Sequence, residues 1–241
     1  GSVTTIESVS ELSDALKAPE PGDVFLLRNF VANLSIDGTL NGGKQIIWMR
    51  SGEHEGTSDM PISLIGYPDE PARLVVDGVS NGDRAIALDN NGWTIANLDF
   101  DTFWQALSSK GNNRIVGNRI NGMTGQKYGS GTGTIVGGGQ VSGGVMLGNT
   151  ITGGASNWRY DHAIYLADCP TETGWAVEWN YIHGNDFARG PQIVVNHQHP
   201  RCGSGAANQS VATHYIRNNT VDTSLYRGRC IGISAFGWEP G

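Results

Sequence analysis

The chain is poor in charge, in cysteine and in long apolar runs, and each shortage closes off a class of function. Charged side chains make up only 16% of the 241 residues and sum to a formal −7. No basic cluster stands out that would release counterions from a phosphate backbone, so nucleic acid is not an expected partner. No apolar run approaches the ~20 residues needed to cross a bilayer as a helix, and the N-terminus shows no charged-then-apolar leader, so no membrane partner is expected either. Gly1-Ser2 has the look of a remnant of tag removal, which leaves room for a signal that once preceded it. The cysteines are three, Cys169, Cys202 and Cys230, an odd number that permits at most one internal bridge. No extended helical periodicity is present, which excludes a helical bundle.

What the chain has in abundance is glycine, at 35 residues about twice the usual share, together with many asparagines and threonines. That composition suits many short strands joined by tight turns, and a repetitive all-β architecture of this length is expected to form a single domain, residues 1–241. Residues 8–17, from Ser8 to Lys17, carry an N-cap candidate, early acids and apolar Val9, Leu12, Ala15 and Leu16 at helical spacing, and Pro19 and Pro21 stop the pattern. A short amphipathic helix before the first strand, VFLLRNF after Gly22-Asp23, is read as a cap on the apolar end of a coil of strands. Coils are expected over residues 23–236. Beyond the cap, short apolar runs recur too closely for intervening helices: QIIWM, PISLIGYP, ARLVVDG, AIALD and WTIANLDF.

Two series of runs alternate along the chain. RIVGNRI, VMLGNTI, AVEWNYI and YIRNNTV share an asparagine at Asn118, Asn149, Asn180 and Asn219, at intervals of 31, 31 and 39, with Leu98 of WTIANLDF in the same slot earlier. AIALD, ALSSK, TIVGG, AIYLAD, IVVNHQ and IGISAF begin at Ala85, Ala106, Thr134, Ala163, Ile193 and Ile231. A period of 20 to 40 residues made only of strands and turns is the mark of a solenoid. Strands of neighbouring coils lie about 4.8 Å apart, so one asparagine per coil at a fixed register predicts a side-chain ladder, and asparagine also tolerates the left-handed backbone of a sharp turn. Stacked coils would set the loops after Ala163–Leu166 and Ile193–Asn196 side by side, which makes a Cys169–Cys202 disulfide one expectation and three buried thiols the other.

The cap helix, the Pro-Gly-Asp opening into an apolar strand, PISLIGYP, WTIANLDF and the repeated N-x-I units together resemble the right-handed parallel β-helix proteins of the pectate-lyase-like superfamily. HAIYLADC followed by EWNYIHGN and GPQIVV is similar to bacterial secreted members with repeated strand-turn-strand coils. The resemblance covers the whole chain and implies an all-β, right-handed parallel β-helix with a short N-terminal cap helix, secreted or periplasmic. It leaves the activity open, because the superfamily is implied to hold lyases, hydrolases, epimerases, depolymerases and binding stalks.

Alternation along AIYL predicts Ile164 and Leu166 inside and Ala163 and Tyr165 outside, and along QIVVN predicts Ile193 and Val195 inside with Gln192, Val194 and Asn196 outside. In the last coil Ile231 and Ile233 are expected to point in. The segments ahead of these strands, GQKYGSGTG, SNWRYDH, NDFARGPQ and SLYRGRC, should stack as a wall of loops carrying Lys127, Tyr128, Trp158, Arg159, Tyr160, Asp161, His162, Asp186, Arg189, Tyr226, Arg227 and Arg229. Arg159, Arg189 and Arg227 each stand four residues before their strand. Such a row either repels itself, calling for an anion against it, or splays apart in solvent. The first alternative predicts recognition of an acidic polysaccharide, with arginine on uronate carboxylates and the aromatics on sugar faces.

For β-elimination on such a polymer, Arg189 or Arg159 would neutralise the carboxylate, His162 oriented by Asp161 or another carboxylate would remove the proton, and Tyr160 or Tyr165 would protonate the leaving oxygen. Tyr165, Trp158, Asp186, Gln192, Asn196, Tyr226, Arg227 and Arg229 are the expected substrate-binding residues. Returning the proton to the opposite face would make the same set a C5 epimerase, and a non-catalytic carbohydrate-binding or adhesive module is the remaining alternative. His197 and His199 share a face while their strand persists, and a divalent cation there is the one cofactor candidate, against a polar turn ended by Pro200. His183 takes the slot of Asn121, Thr152 and Asp222 and is read as a turn residue. The NTD, DD, GHG and RIK motifs implied for the superfamily's polygalacturonases are missing, as are the Asp-Pro-His signature implied for its alginate epimerases, DxDxDG calcium loops and regular T-x-T rows. The expected activity is therefore an extracellular polysaccharide lyase. The sequence stops at Gly241 right after a strand of the second series, so further sequence or another chain is expected to cover that face.

Overall fold

The computed structural model describes residues 1–41, 43–77, 83–102, 105–122, 132–139, 143–152, 155–156, 161–168, 174–183, 186–187, 193–197, 214–222 and 231–235. It is mostly β, with an eight-stranded sheet, two seven-stranded sheets and a two-stranded pair among the described residues. From Val24 onward the chain visits the three large sheets in a fixed rotation, first, second, third, and each return lands beside the strand laid down one round before. Every pairing within them is parallel, so the arrangement is consistent with a parallel β-helix.

The expected runs hold their places: QIIWM is the strand Gln45–Met49, and ARLVVDG contains Arg73–Val76. One count differs. Each N-x-I run is two strands in two different sheets, split at the asparagine; RIVGNRI divides into Arg114–Val116 and Arg119–Gly122. A round therefore has three strands where the sequence reading counts two. His183 likewise closes the strand Tyr181–His183 and is not in a turn, although its register partners are Thr152 and, beyond it, Asn121, as the repeat alignment requires.

Three inward ladders explain why these residues choose this fold. Phe25, Leu64, Ile95, Ile115, Met146 and Val177 align in the first sheet, Leu74, Phe100, Ile120, Ile151 and Ile182 in the second, and Ile47, Ile86, Leu107, Ile135, Ile164 and Ile193 in the third. All belong to one buried apolar cluster. Burying each such side chain contributes about 1.5–3 kcal/mol relative to leaving it in water. Gly137 and Gly144 are small for a packing reason: a Cβ on Gly144 would overlap the ring of the buried Trp175, and one on Gly137 would crowd Trp175, Met146 and Leu166. Ile231, at the end of its ladder, is 47% exposed and lines an open cavity of about 280 Å³ with Ile216 and Val221, so the inward reading of this residue does not bury it.

A helix, α1, spans Val9–Ala15, its N-cap Ser8 side chain accepting from Glu11 N at 3.2 Å. Its Leu12, and Leu16 just beyond it, join the core. The strand Val3–Ile6 ahead of it pairs with Val24–Leu27 and was not evident from the sequence.

The asparagine ladder forms as the repeat predicts. Asn149 Oδ1 accepts from Asn118 N and Nδ2, both at 3.0 Å; Asn180 Oδ1 does the same for Asn149, and Asn219 for Asn180. Each Nδ2 also donates to a carbonyl one round back, Ile95, Ile115, Met146 and Val177 in turn. The left-handed residue of the corner is the one before the ladder position, held by Leu98 in the first of these rounds and by asparagine in the rest: Asn97, Gly117, Gly148, Trp179 and Asn218 have φ between 50 and 64°.

Candidate functional site

The outer face of the third sheet is where the expected site can be compared with the structure. His162 and Tyr165 both lie on the strand Asp161–Asp168, and their rings stack 5.5 Å apart at 10°. Residues three apart in a regular strand point to opposite faces. Their contact therefore requires a bend between them, and Ala163 and Ile164 are accordingly both fully buried. The bend recurs in register, since Gly133 pairs with His162 and Ile135 with Ile164 while the residues between are unpaired, and the same gap separates Arg84 from Ile86 beside Gln105 and Leu107.

Two expectations are corrected here, the first of them by this bend. Ala163 belongs to the core, and Tyr165 is only 5% exposed and so is not an open stacking surface. His162, also 5% exposed, stays on the outer side because it precedes the bend.

The position just before the bend forms a row that the sequence reading passed over. Gln45, Arg84 and Gln105 are register partners, and two further strands continue the row to Gly133 and His162. At ~4.8 Å per strand the row is roughly 19 Å long. Its signal was in the sequence: each of Arg84, Gln105 and His162 directly precedes an alanine that opens a run of the second series.

Arg84 is the electrostatically unusual member. Its Nη1 donates to Ser108 Oγ at 2.8 Å, while Nε is buried with no acceptor. Burial pulls its pKa below the ordinary guanidinium value, partly opposed by the charge of Asp89. It makes no ion pair among the described residues, whereas Arg28, Arg73, Arg119 and Arg217 each hold a carboxylate. Beside it, Gln105 is 5% exposed and its Oε1 has no donor. Asp89 and Lys110 follow the strands that carry Arg84 and Gln105, with Trp48 Nε1 donating to Asp89 Oδ2 at 3.0 Å and Lys110 Nζ 2.9 Å from Asp89 Oδ1.

The other expected residues are placed in part. Asp161 opens its strand opposite Thr132, Asn196 pairs with Ser234 and His197 with Ala235. Asp186 and Phe187 pair with Ala155 and Ser156, so the segments ahead of these two coils do run side by side for two residues. Trp158, Arg159, Tyr160, Arg189, Gln192, Tyr226, Arg227, Arg229, His199, Lys127, Tyr128 and both partners of the expected Cys169–Cys202 bridge lie outside the described residues. Among the described residues no helix is long and apolar enough to cross a membrane. No family model, curated protein or solved structure matches the chain.

Proposed function

We propose that the chain is a right-handed parallel β-helix of the pectate-lyase-like kind, secreted or periplasmic, that binds a uronate-containing polysaccharide across the outer face of its third sheet and cleaves it by β-elimination. Right-handedness follows from the strong preference of parallel crossover connections, and α1, through Leu12 and Leu16, is the cap on the first coil. The observation that carries the polysaccharide reading is Arg84. A guanidinium desolvated by burial, only partly offset by the charge of Asp89 and making no ion pair among the described residues, favours an anion against it, and it stands in a row with Gln105 and His162 along which an extended chain would lie.

Arg84 and His162 are three strands apart, roughly 14 Å, so they serve different sugars of one polymer. Arg84 holds one carboxylate and fixes the register. At the reacting sugar, His162 takes the proton from the carbon next to the carboxylate, the electrons of that C–H bond form the new C=C bond, and the glycosidic C–O bond breaks as its oxygen is protonated. Arg159 or Arg189 neutralises that carboxylate and Tyr160 supplies the acid.

A second reading has its own support: His162 is nearly buried and lies flat on Tyr165, as suits a packing role in a binding module without catalysis. Incubation with pectate, alginate and glycosaminoglycans, followed by ultraviolet absorbance of unsaturated ends, separates the two. The lyase reading expects turnover on one polymer, abolished in His162→Ala, and a KM raised about tenfold with kcat nearly kept in Arg84→Gln. Retained binding with no turnover on any polymer sinks it in favour of the module.

A further inference from the structure

One coil departs from its neighbours on a surface remote from that row. At the corner between the first and second sheets, the left-handed residue is asparagine or glycine in every neighbouring round, Asn97, Gly117, Gly148 and Asn218, but Trp179 in this one, with φ 57°. A bulky side chain is disfavoured in that backbone region. Nor does burial compensate for it, because Trp179 is 63% exposed. A strained, solvent-facing tryptophan is best explained by something it meets outside the chain.

Two more rings follow it in the same coil. Tyr181 and His183 occupy alternate, outward positions of the strand Tyr181–His183, and their rings stack at 4.4 Å. Tyr181 is 42% exposed. In the round before, these register positions hold Thr150 and Thr152, and in the round after, Thr220 stands beside Tyr181. Two stacked rings thus run along this strand with Trp179 at the corner before it and hydroxyl side chains on the flanking strands.

On the Thr150 side the surface continues into an open cleft of about 440 Å³. Its charges are already matched to one another: Arg119 holds Asp99 through two hydrogen bonds of 2.6 and 3.0 Å, and Arg73 holds Asp101. The cleft therefore offers polar contacts without a net demand for a counter-ion, unlike Arg84 on the third sheet.

We infer that Trp179, Tyr181 and His183 form a binding platform for a neutral saccharide, whose chain continues over Thr150 and Thr152 into the cleft of the second sheet. The apolar C–H face of a pyranose complements the electron-rich face of an aromatic ring, and the flanking hydroxyls and ion-paired groups accept and donate to sugar hydroxyls. This site stands independently of the polysaccharide reading of the third sheet.

The test is calorimetric titration of the full chain with cello-, xylo- and chito-hexaose, for the wild type, Trp179→Gly, Tyr181→Thr and Arg84→Gln. Glycine is the corner residue of two neighbouring rounds, so Trp179→Gly is expected to melt no lower than the wild type while weakening binding of the preferred sugar about tenfold or more. Tyr181→Thr, the residue at this register on both sides, weakens it less, and Arg84→Gln leaves it unchanged. The inference is overturned if the wild type binds none of the three sugars, if Trp179→Gly binds as tightly as the wild type, or if Arg84→Gln abolishes binding, which would move the sugar to the third sheet. Should Trp179→Gly fail to fold, Tyr181→Thr decides in its place, and binding as tight as wild type in that variant overturns the inference.

Discussion

Two bends of the coil meet the same problem in opposite ways. Between the first and second sheets the chain turns in two residues, round after round: from Ala96 to Asp99, Val116 to Arg119, Leu147 to Thr150, Glu178 to Tyr181 and Arg217 to Thr220. Between the third sheet and the first, the connection runs from Leu88 to Trp93 and from Ser109 to Arg114, then lengthens to a span from His197 to Tyr215. A two-residue corner has no slack to satisfy the backbone groups that the strands leave behind, so a side chain of fixed length must do it every time. Where the connection lengthens, that demand is released. The tight corner is a stability element and the loose one is where the rounds differ.

The sharpest way to break this comparison is to remove a ladder side chain. Asn149→Ala deletes four hydrogen bonds: Asn118 N–H loses its acceptor, the Ile115 carbonyl loses a donor, and Asn118 Nδ2 and Asn180 Oδ1 each lose one bond while keeping the Ile95 carbonyl and Asn149 N–H. At ~1–3 kcal/mol per buried group left unsatisfied, with partial relaxation, the expected loss is about 4 kcal/mol in chemical denaturation. A loss below about 1 kcal/mol would mean that the corner is held by strand pairing alone.

The looser bend supplies the matched control. Its early rounds still use an asparagine: Asn113 Oδ1 accepts from Trp93 N at 2.9 Å, and Nδ2 donates to the Asn90 carbonyl and to Ser109 Oγ. Asn113→Ala is expected to cost about 2 kcal/mol, less than the ladder position, because the Ser109 hydroxyl can rotate to a new partner and the longer connection can adjust. Equal losses at Asn113 and Asn149 would erase the distinction between the two bends.

The same contrast decides what could be read from the sequence. The ladder at Asn118, Asn149, Asn180 and Asn219 was legible because a fixed geometric demand repeats at a fixed spacing, and inward residues such as Ile164 and Val195 were legible because alternation marks them. The split of each N-x-I run into two sheets was hidden, since a corner made of one left-handed residue and one asparagine does not interrupt the apolar pattern. Ala163 was misplaced and Arg84 missed for one shared reason: the bend before Ile86 and Ile164 shifts the outward position, and no residue type announces it. Trp179 stood inside a repeat unit, where its conflict with the corner geometry shows only once φ is known.

The smallest expected effect isolates the corner's backbone from its ladder. Gly117 has φ 63°, and a Cβ built there meets nothing within 4 Å, so Gly117→Ala changes no packing and tests the left-handed conformation alone. The expected cost is about 1 kcal/mol, read as a lowered melting temperature, because alanine is disfavoured in that region by roughly this amount. Gly117→Asn should cost less, since asparagine fills the same corner at Asn97 and Asn218 and tolerates the conformation through its short polar side chain. If alanine and asparagine cost the same, the penalty is not conformational, and the strain assigned to Trp179 loses its support as well. If alanine is the worse, the corner ranks its occupants as glycine, asparagine, then everything else, and a tryptophan there stands against the local preference of the fold.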